Sequence, residues 1–162
     1  ALGHGMAISA GIALAAKKDK KTYRVYTLIG DGELGEGSNW EAAMMAAHYK
    51  LDNLVAILDH NTLQITGRNR EVCSPYPIDQ KFKAFGWEVT EVDGNSIADL
   101  RRVFKSIPLK KGSPNLIIAN TTKGKGISFM EDEMKWHHGV PSDEQYVKAL
   151  EELNQKLEVL QA

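Results

Sequence analysis

Residues 27–61 read TLIGDGELGEGSNWEAAMMAAHYKLDNLVAILDHN, and the order of patterns within them sets the architecture of the chain. The run enters from YRVYTLI at 23–29, β-branched and aromatic, hence a strand. It turns sharply at Gly30-Asp31-Gly32. From Glu36 to about Tyr49 the residues Trp40, Ala43, Met44, Ala47 and His48 recur at helical spacing. NLVAILD at 53–59 is then continuously apolar, as expected of a strand covered on both faces. Strand, helix and strand in this order form one βαβ unit.

The same alternation extends in both directions. Upstream, Gly5 to about Lys18 is rich in small residues and reads as a helix that lets another backbone come close. Downstream, a loop at 60–76 with Pro75 leads to IDQKFKAFG, a short helix closed by Gly86. WEVTEVD at 87–93 is a third strand, followed by the turn Asp93-Gly94. SIADLRRVFKSI at 96–107 is a helix with Asn95 or Ser96 as its N-cap. NLIIANT at 115–121 is the fourth strand. A Gly- and Lys-rich loop and a last amphipathic helix, about Ser142 to Leu160, complete the pattern. The expected fold is α/β, a parallel sheet with helices on both faces. Residues 1–162 are expected to be a single domain. The helical pattern begins almost at residue 1, which suggests a partial domain lacking its N-terminal portion.

Composition narrows the function classes. Hydrophobic residues are 43% and charged residues 25% of 162, ordinary for a globular chain. The net charge of −1 gives no reason to expect nucleic acid or an anionic membrane as partner. Lys17, Lys18, Lys20 and Lys21 cluster at a helix C-terminus, where the dipole favours cations. The one cysteine, Cys73, excludes an internal disulfide and points to a reducing, cytoplasmic setting. No apolar run approaches the roughly 20 residues of a membrane span.

In a parallel sheet, ligands bind beyond the carboxyl ends of the strands. The Gly30 loop, Asp59-His60-Asn61, Asp93-Gly94 and the loop at 121–126 all follow strands and are expected to crowd one edge. Two glycines let the backbone turn and bring its N–H groups close to an anion. Asp31 supplies a hard oxygen, and Asn61 an uncharged carbonyl oxygen from the next strand. One carboxylate and one amide suit Mg2+ or Ca2+ whose other positions are filled by phosphate and water. The bland reading is a simple Asp-Gly turn. Nucleotide signatures, a G-x-G-x-x-G opening a helix or a G-x-x-x-x-G-K-[ST], are absent.

Gly30-Asp31-Gly32 with Asn61 at this distance resembles the thiamine diphosphate motif. LGHGMAISAGIALAAK, LQITG, KAFGWEVTEVDGNSIADL, TTKGKGISFMED and WHHGVP strengthen the likeness and favour transketolase, in particular its diphosphate-binding N-terminal section. The resemblance runs over roughly residues 2–150. It implies that Asp31, the Asn61 side chain and the Leu63 carbonyl hold the metal. It also implies that Gly30, Gly32 and Asn61 meet the diphosphate and that Leu2 and Ile65 pack on the cofactor rings. Lys123 falls where family members contact the diphosphate, and His138 where a histidine serves diphosphate and substrate. Glu36 and Glu41 match acids at a dimer interface near the partner's cofactor. The implied activity is transfer of a two-carbon ketol unit between sugar phosphates, as in the pentose phosphate pathway. It would require thiamine diphosphate, Mg2+ or Ca2+, and a partner subunit with the pyrimidine-binding domain, in a homodimer or heterotetramer. Alone, the chain is expected to be catalytically incomplete.

Each assignment has a plainer counterpart. Leu2 and Ile65 suit the core of almost any fold, Glu36 suits a helix first turn, and Glu41 an exposed helix face. His137 and His138 suit a solvated loop, and His4, His48 and His60 show no metal-ligand spacing. Rival functions are another thiamine enzyme (deoxyxylulose-phosphate synthase or a 2-oxo acid dehydrogenase component) or a non-catalytic cofactor-binding remnant.

Overall fold

The computed structural model describes residues 2–161. Four strands, β1 (Val25–Gly30), β2 (Leu54–His60), β5 (Glu88–Asp93) and β6 (Asn115–Asn120), form one sheet in the order β1-β2-β6-β5. Every pairing within it is parallel. The connection from β2 crosses to the far edge at β5, and the chain then returns to lay β6 in the gap. Between β2 and β5 lie a minimal antiparallel hairpin, β3 (Leu63–Gln64) with β4 (Gly67–Arg68), and a single-turn helix α3 (Asn69–Val72). The sequence reads this region as plain loop.

Helices α1 (Gly5–Lys18), α2 (Gly37–His48) and α4 (Ile78–Phe85) share a core with one face of the sheet. Helix α5 (Ile97–Lys105) covers the other face through Val103, Leu100 and Phe104, against Val55, Ile117 and Val92. Both faces of β2 are therefore covered, and Leu54, Val55, Ala56 and Leu58 are buried. The second face of β1 is covered only in part, by the edge-on contact of Tyr26 with Phe104 of α5 at 6.1 Å. Tyr26 and Leu28, on that face, remain 47% and 70% exposed.

Small residues let α1 and α2 lie close. Met6, Ala10 and Ala13 of α1 meet Ala42, Ala43 and Ala46 of α2 in the core. Of the residues read at helical spacing in α2, Ala43 is in this core and Trp40 and Ala47 pack against it. Met44 is exposed and Trp40 half-buried, because the alanine stripe takes the closest approach and the larger side chains are turned aside. Trp40 packs at a tilt against Phe82, ring centroids 5.4 Å apart, and donates its indole N–H to the Leu34 carbonyl at 2.9 Å.

Local signals end the helices. Gly86 caps α4 in the left-handed region at φ 97°, a conformation that favours glycine. Ser96 is the N-cap of α5, accepting the Asp99 N–H at 3.3 Å. Asn95 has a different task, accepting the Thr122 N–H and so tying two strand tips together. Helix α6 (Asp143–Gln161) starts with a capping box: Ser142 N–H donates to Gln145 Oε1, and Gln145 N–H donates to Ser142 Oγ. Glu152 accepts from the Ser128 N–H and hydroxyl, and the Lys156 ammonium donates to the Gly126 carbonyl, which fastens α6 to the loop after β6.

Candidate functional site

Parallel register brings the ends of β1 and β2 side by side, pairing Gly30 with Asp59. The next residues form the site. Asp31 opens a 3-10 turn (Gly32–Gly35) and is 1% exposed. Its Oδ1 accepts the Gly32 N–H at 2.8 Å, and its Oδ2 accepts the Thr62 N–H at 2.6 Å. Asn61, 8% exposed, turns its Oδ1 to the Leu63 N–H at 3.1 Å. The two side chains converge because Asp31 is bonded to the residue that follows Asn61.

They border one cavity of about 500 Å3. Gly30, Asp31, Gly32, Asn61, Leu63, Lys123 and the apolar pair Leu2 and Ile65 all line it. Leu2 and Ile65 are 62% and 60% exposed, so they form a rim rather than a core. His137 is also part of the wall; its neighbour His138 is not. Glu36 and Glu41 are exposed and lie outside the cavity lining.

The two glycines differ in their reasons. A Cβ on Gly30 would find nothing within 4 Å, so its place at the wall keeps cavity space open. A Cβ on Gly32 would come within 2.9 Å of Gln64 Cβ, so the hairpin can close on the turn only if that residue is glycine.

Three carboxyl side chains, Asp31, Glu33 and Asp59, stand against one lysine in this wall. A diphosphate would meet net negative charge there, so a divalent cation is the natural companion. Among the described residues no group of three or more His, Cys, Asp or Glu is placed to hold a metal alone. The donor set of one carboxylate, one amide and nearby backbone oxygen therefore fits a cation that takes its remaining ligands from phosphate and water.

Further hydrogen bonds brace the strand ends around the cavity, and Glu33 among them escaped the sequence reading. Glu33 bonds two backbone N–H groups, of Gly3 and Gly30. His60 joins Asn120 Oδ1 at 2.7 Å to the Tyr76 hydroxyl at 2.8 Å. Burial, then the Asp31 carboxylate, push the Tyr76 hydroxyl above the ordinary tyrosine value, with Arg70 opposing. Thr121 donates its hydroxyl to Asp59, which ties β6 to β2. The His137 imidazole is held below the ordinary histidine value, by partial desolvation first and then by the positive charge of Lys123 and His138. The residue as a whole stays exposed, so solvent moderates the effect.

Comparison with known proteins identifies the family. A family model described as "Transketolase, thiamine diphosphate binding domain" matches residues 1–157. The chain is 52% identical to one of the subunits of the apulose-4-phosphate transketolase of Phocaeicola vulgatus, over 99% of this chain and 57% of that protein. It is 38% identical to the 6-deoxy-6-sulfo-D-fructose transketolase subunit SqwG of a Clostridium species, over 96% of this chain and 56% of that one. The crystal structure of transketolase from Campylobacter jejuni superposes with a TM-score of 0.86 at 34% identity, covering 94% of this chain and 25% of that chain. The chain thus spans a little over half the length of these subunit relatives.

Proposed function

Because the chain belongs to the family of transketolase thiamine diphosphate-binding domains, we propose that it is the diphosphate- and metal-holding part of a transketolase that moves a two-carbon ketol unit between sugar phosphates. The observation that carries the reading is the convergence of Asp31 and Asn61, from adjacent strand tips, on one cavity with an apolar rim.

In this reading Asp31, the Asn61 side chain and the Leu63 carbonyl hold Mg2+ or Ca2+, and Gly30, Gly32 and Lys123 face the diphosphate. When bound, thiamine diphosphate supplies the carbanion chemistry that the side chains lack. The chain's own task is to bind and orient. His137, whose imidazole is held below the ordinary histidine value by partial desolvation and then by Lys123 and His138, stands in the same wall as Lys123. We retain His138, beside it, as the substrate-facing histidine, with Glu36 and Glu41 turned toward a partner copy.

A rim with Leu2 and Ile65 more than half exposed suits a cofactor whose rings project out of this part and are covered by another. Relatives that are themselves named as single subunits of a transketolase support a partner chain carrying the pyrimidine-binding domain, in a homodimer or heterotetramer, with this chain inactive alone. We place the protein in the cytoplasm, consistent with its one free, exposed cysteine, Cys73. Among the described residues no helix is long and apolar enough to cross a membrane.

The two relatives at 52% identity make apulose 4-phosphate the first ketose donor to assay. Xylulose 5-phosphate with ribose 5-phosphate comes next, and pyruvate tests the rival thiamine enzymes. Ketol transfer by the assembled protein with a sugar phosphate, and none by this chain alone, is the expected result. Turnover of pyruvate, with an aldose phosphate as acceptor or without one, would assign it to a synthase or a decarboxylating branch. Cofactor binding without turnover of any substrate would favour a non-catalytic remnant.

A further inference from the structure

We propose that Glu33 is a positioning residue: its carboxylate locks the Leu2-Gly3 turn onto the end of β1 and so sets the apolar wall for the thiamine end of the cofactor. The inference rests on the thiamine diphosphate reading of the cavity. Glu33 Oε1 accepts the Gly3 N–H at 2.8 Å, and Oε2 accepts the Gly30 N–H at 3.2 Å. One side chain thus joins the start of the described chain to the diphosphate turn.

The turn is gripped from the other side as well. Ser38 donates its hydroxyl to the Gly3 carbonyl at 2.6 Å. Gly3 lies at φ +79°, and a Cβ there would come within 2.7 Å of Glu36 Cβ and 2.9 Å of Ser38 Oγ. Both polar groups of Gly3 are therefore fixed, and its lack of a side chain permits the approach. Leu2 stands next to it at the cavity rim with most of its surface exposed. Too little of Leu2 is packed to hold it by burial; its carbonyl pairs with His4 Nδ1 at 2.9 Å within the same turn, and that turn is anchored to the rest of the fold through Gly3.

The charge of Glu33 is otherwise out of keeping with its position. It lies two residues after Asp31 in the wall of a cavity read as receiving a polyanion. An acid that merely favoured the first turn of the 3-10 helix would bond the N–H groups of that turn. Glu33 reaches instead to Gly3 and Gly30, and two separate N–H donors demand two acceptor oxygens. Glutamine offers one, and turns its NH2 toward the other donor.

The test is titration of the intact protein, in Mg2+, with thiamine diphosphate and in parallel with inorganic pyrophosphate. Glu33→Gln is expected to weaken thiamine diphosphate by about 10-fold, the loss of one charge-assisted hydrogen bond, and pyrophosphate by clearly less, since both ligands meet the Gly30 turn that it also holds but only thiamine diphosphate uses the Leu2 wall. On a Leu2→Ala background the same change is expected to add less than about 2-fold, because the wall it positions is already gone. Ser38→Ala releases the same turn and is expected to show the same selectivity, so it carries the test if Glu33→Gln does not fold. Equal losses for both ligands, or losses that add fully to Leu2→Ala, overturn the inference and leave Glu33 as general support for the loop. A wild-type protein that binds pyrophosphate but not thiamine diphosphate also overturns it. One that binds neither ligand overturns the thiamine reading itself, and the inference with it.

Discussion

At the residue scale, Gly30 separates fold from function. A Cβ there meets no neighbouring atom, and the backbone φ lies outside the left-handed region, so alanine is sterically free. Gly30→Ala is therefore expected to leave the thermal midpoint within a few degrees of wild type, a change of about 0.5 kcal/mol or less. The added methyl group would occupy cavity space, and thiamine diphosphate binding by titration calorimetry is expected to fall. His137 gives a pH prediction of definite sign. Its imidazole titrates below the ordinary histidine value in the free protein, and a bound diphosphate would raise it. Binding then takes up a proton, so affinity is expected to increase as pH falls through that interval, and NMR of the ring should report the upward shift. Lys123→Met is expected to move the free titration part of the way up, since partial desolvation is the larger cause.

At the element scale, a cluster of aromatics holds the helices that carry the site. Phe82 of α4 is fully buried, 5.4 Å from the Trp40 ring and 5.3 Å from that of Trp87. Trp40 in turn bonds Leu34, in the 3-10 turn that follows Asp31. Phe82→Ala is expected to cost about 3–5 kcal/mol in urea unfolding, and to loosen the diphosphate turn through Trp40. The order of elements was legible because each strand and helix carries its own period. Asp31 and Asn61 were legible for the same reason, each standing just past a recognisable strand. The β3–β4 hairpin was not, because its turn residues, Ile65 and Thr66, lack the Asn-Gly or Asp-Gly signal of a two-residue turn. In α2 the helical spacing was legible, but the tight alanine contact with α1 through Ala42, Ala43 and Ala46 was not, because alanine contributes little to a hydrophobic pattern. Glu33 was missed because its meaning lies in Gly3, thirty residues away.

At the scale of the whole molecule, a four-stranded parallel sheet sends its carboxyl ends to one edge, and the loops there contribute acids, amides and a lysine to a shared cavity. Family membership follows from the sequence match over residues 1–157, while the metal-anchored diphosphate is the proposal on which the functional reading depends. Isothermal titration of the intact protein with thiamine diphosphate, in Mg2+ and again in EDTA, for wild type and Asp31→Ala, tests it most directly. The expected result is binding by wild type that needs the divalent ion and falls in Asp31→Ala by more than the roughly 10–100-fold typical of losing an outer-shell partner. Equal affinity with and without the metal, or undiminished binding by Asp31→Ala, would contradict it.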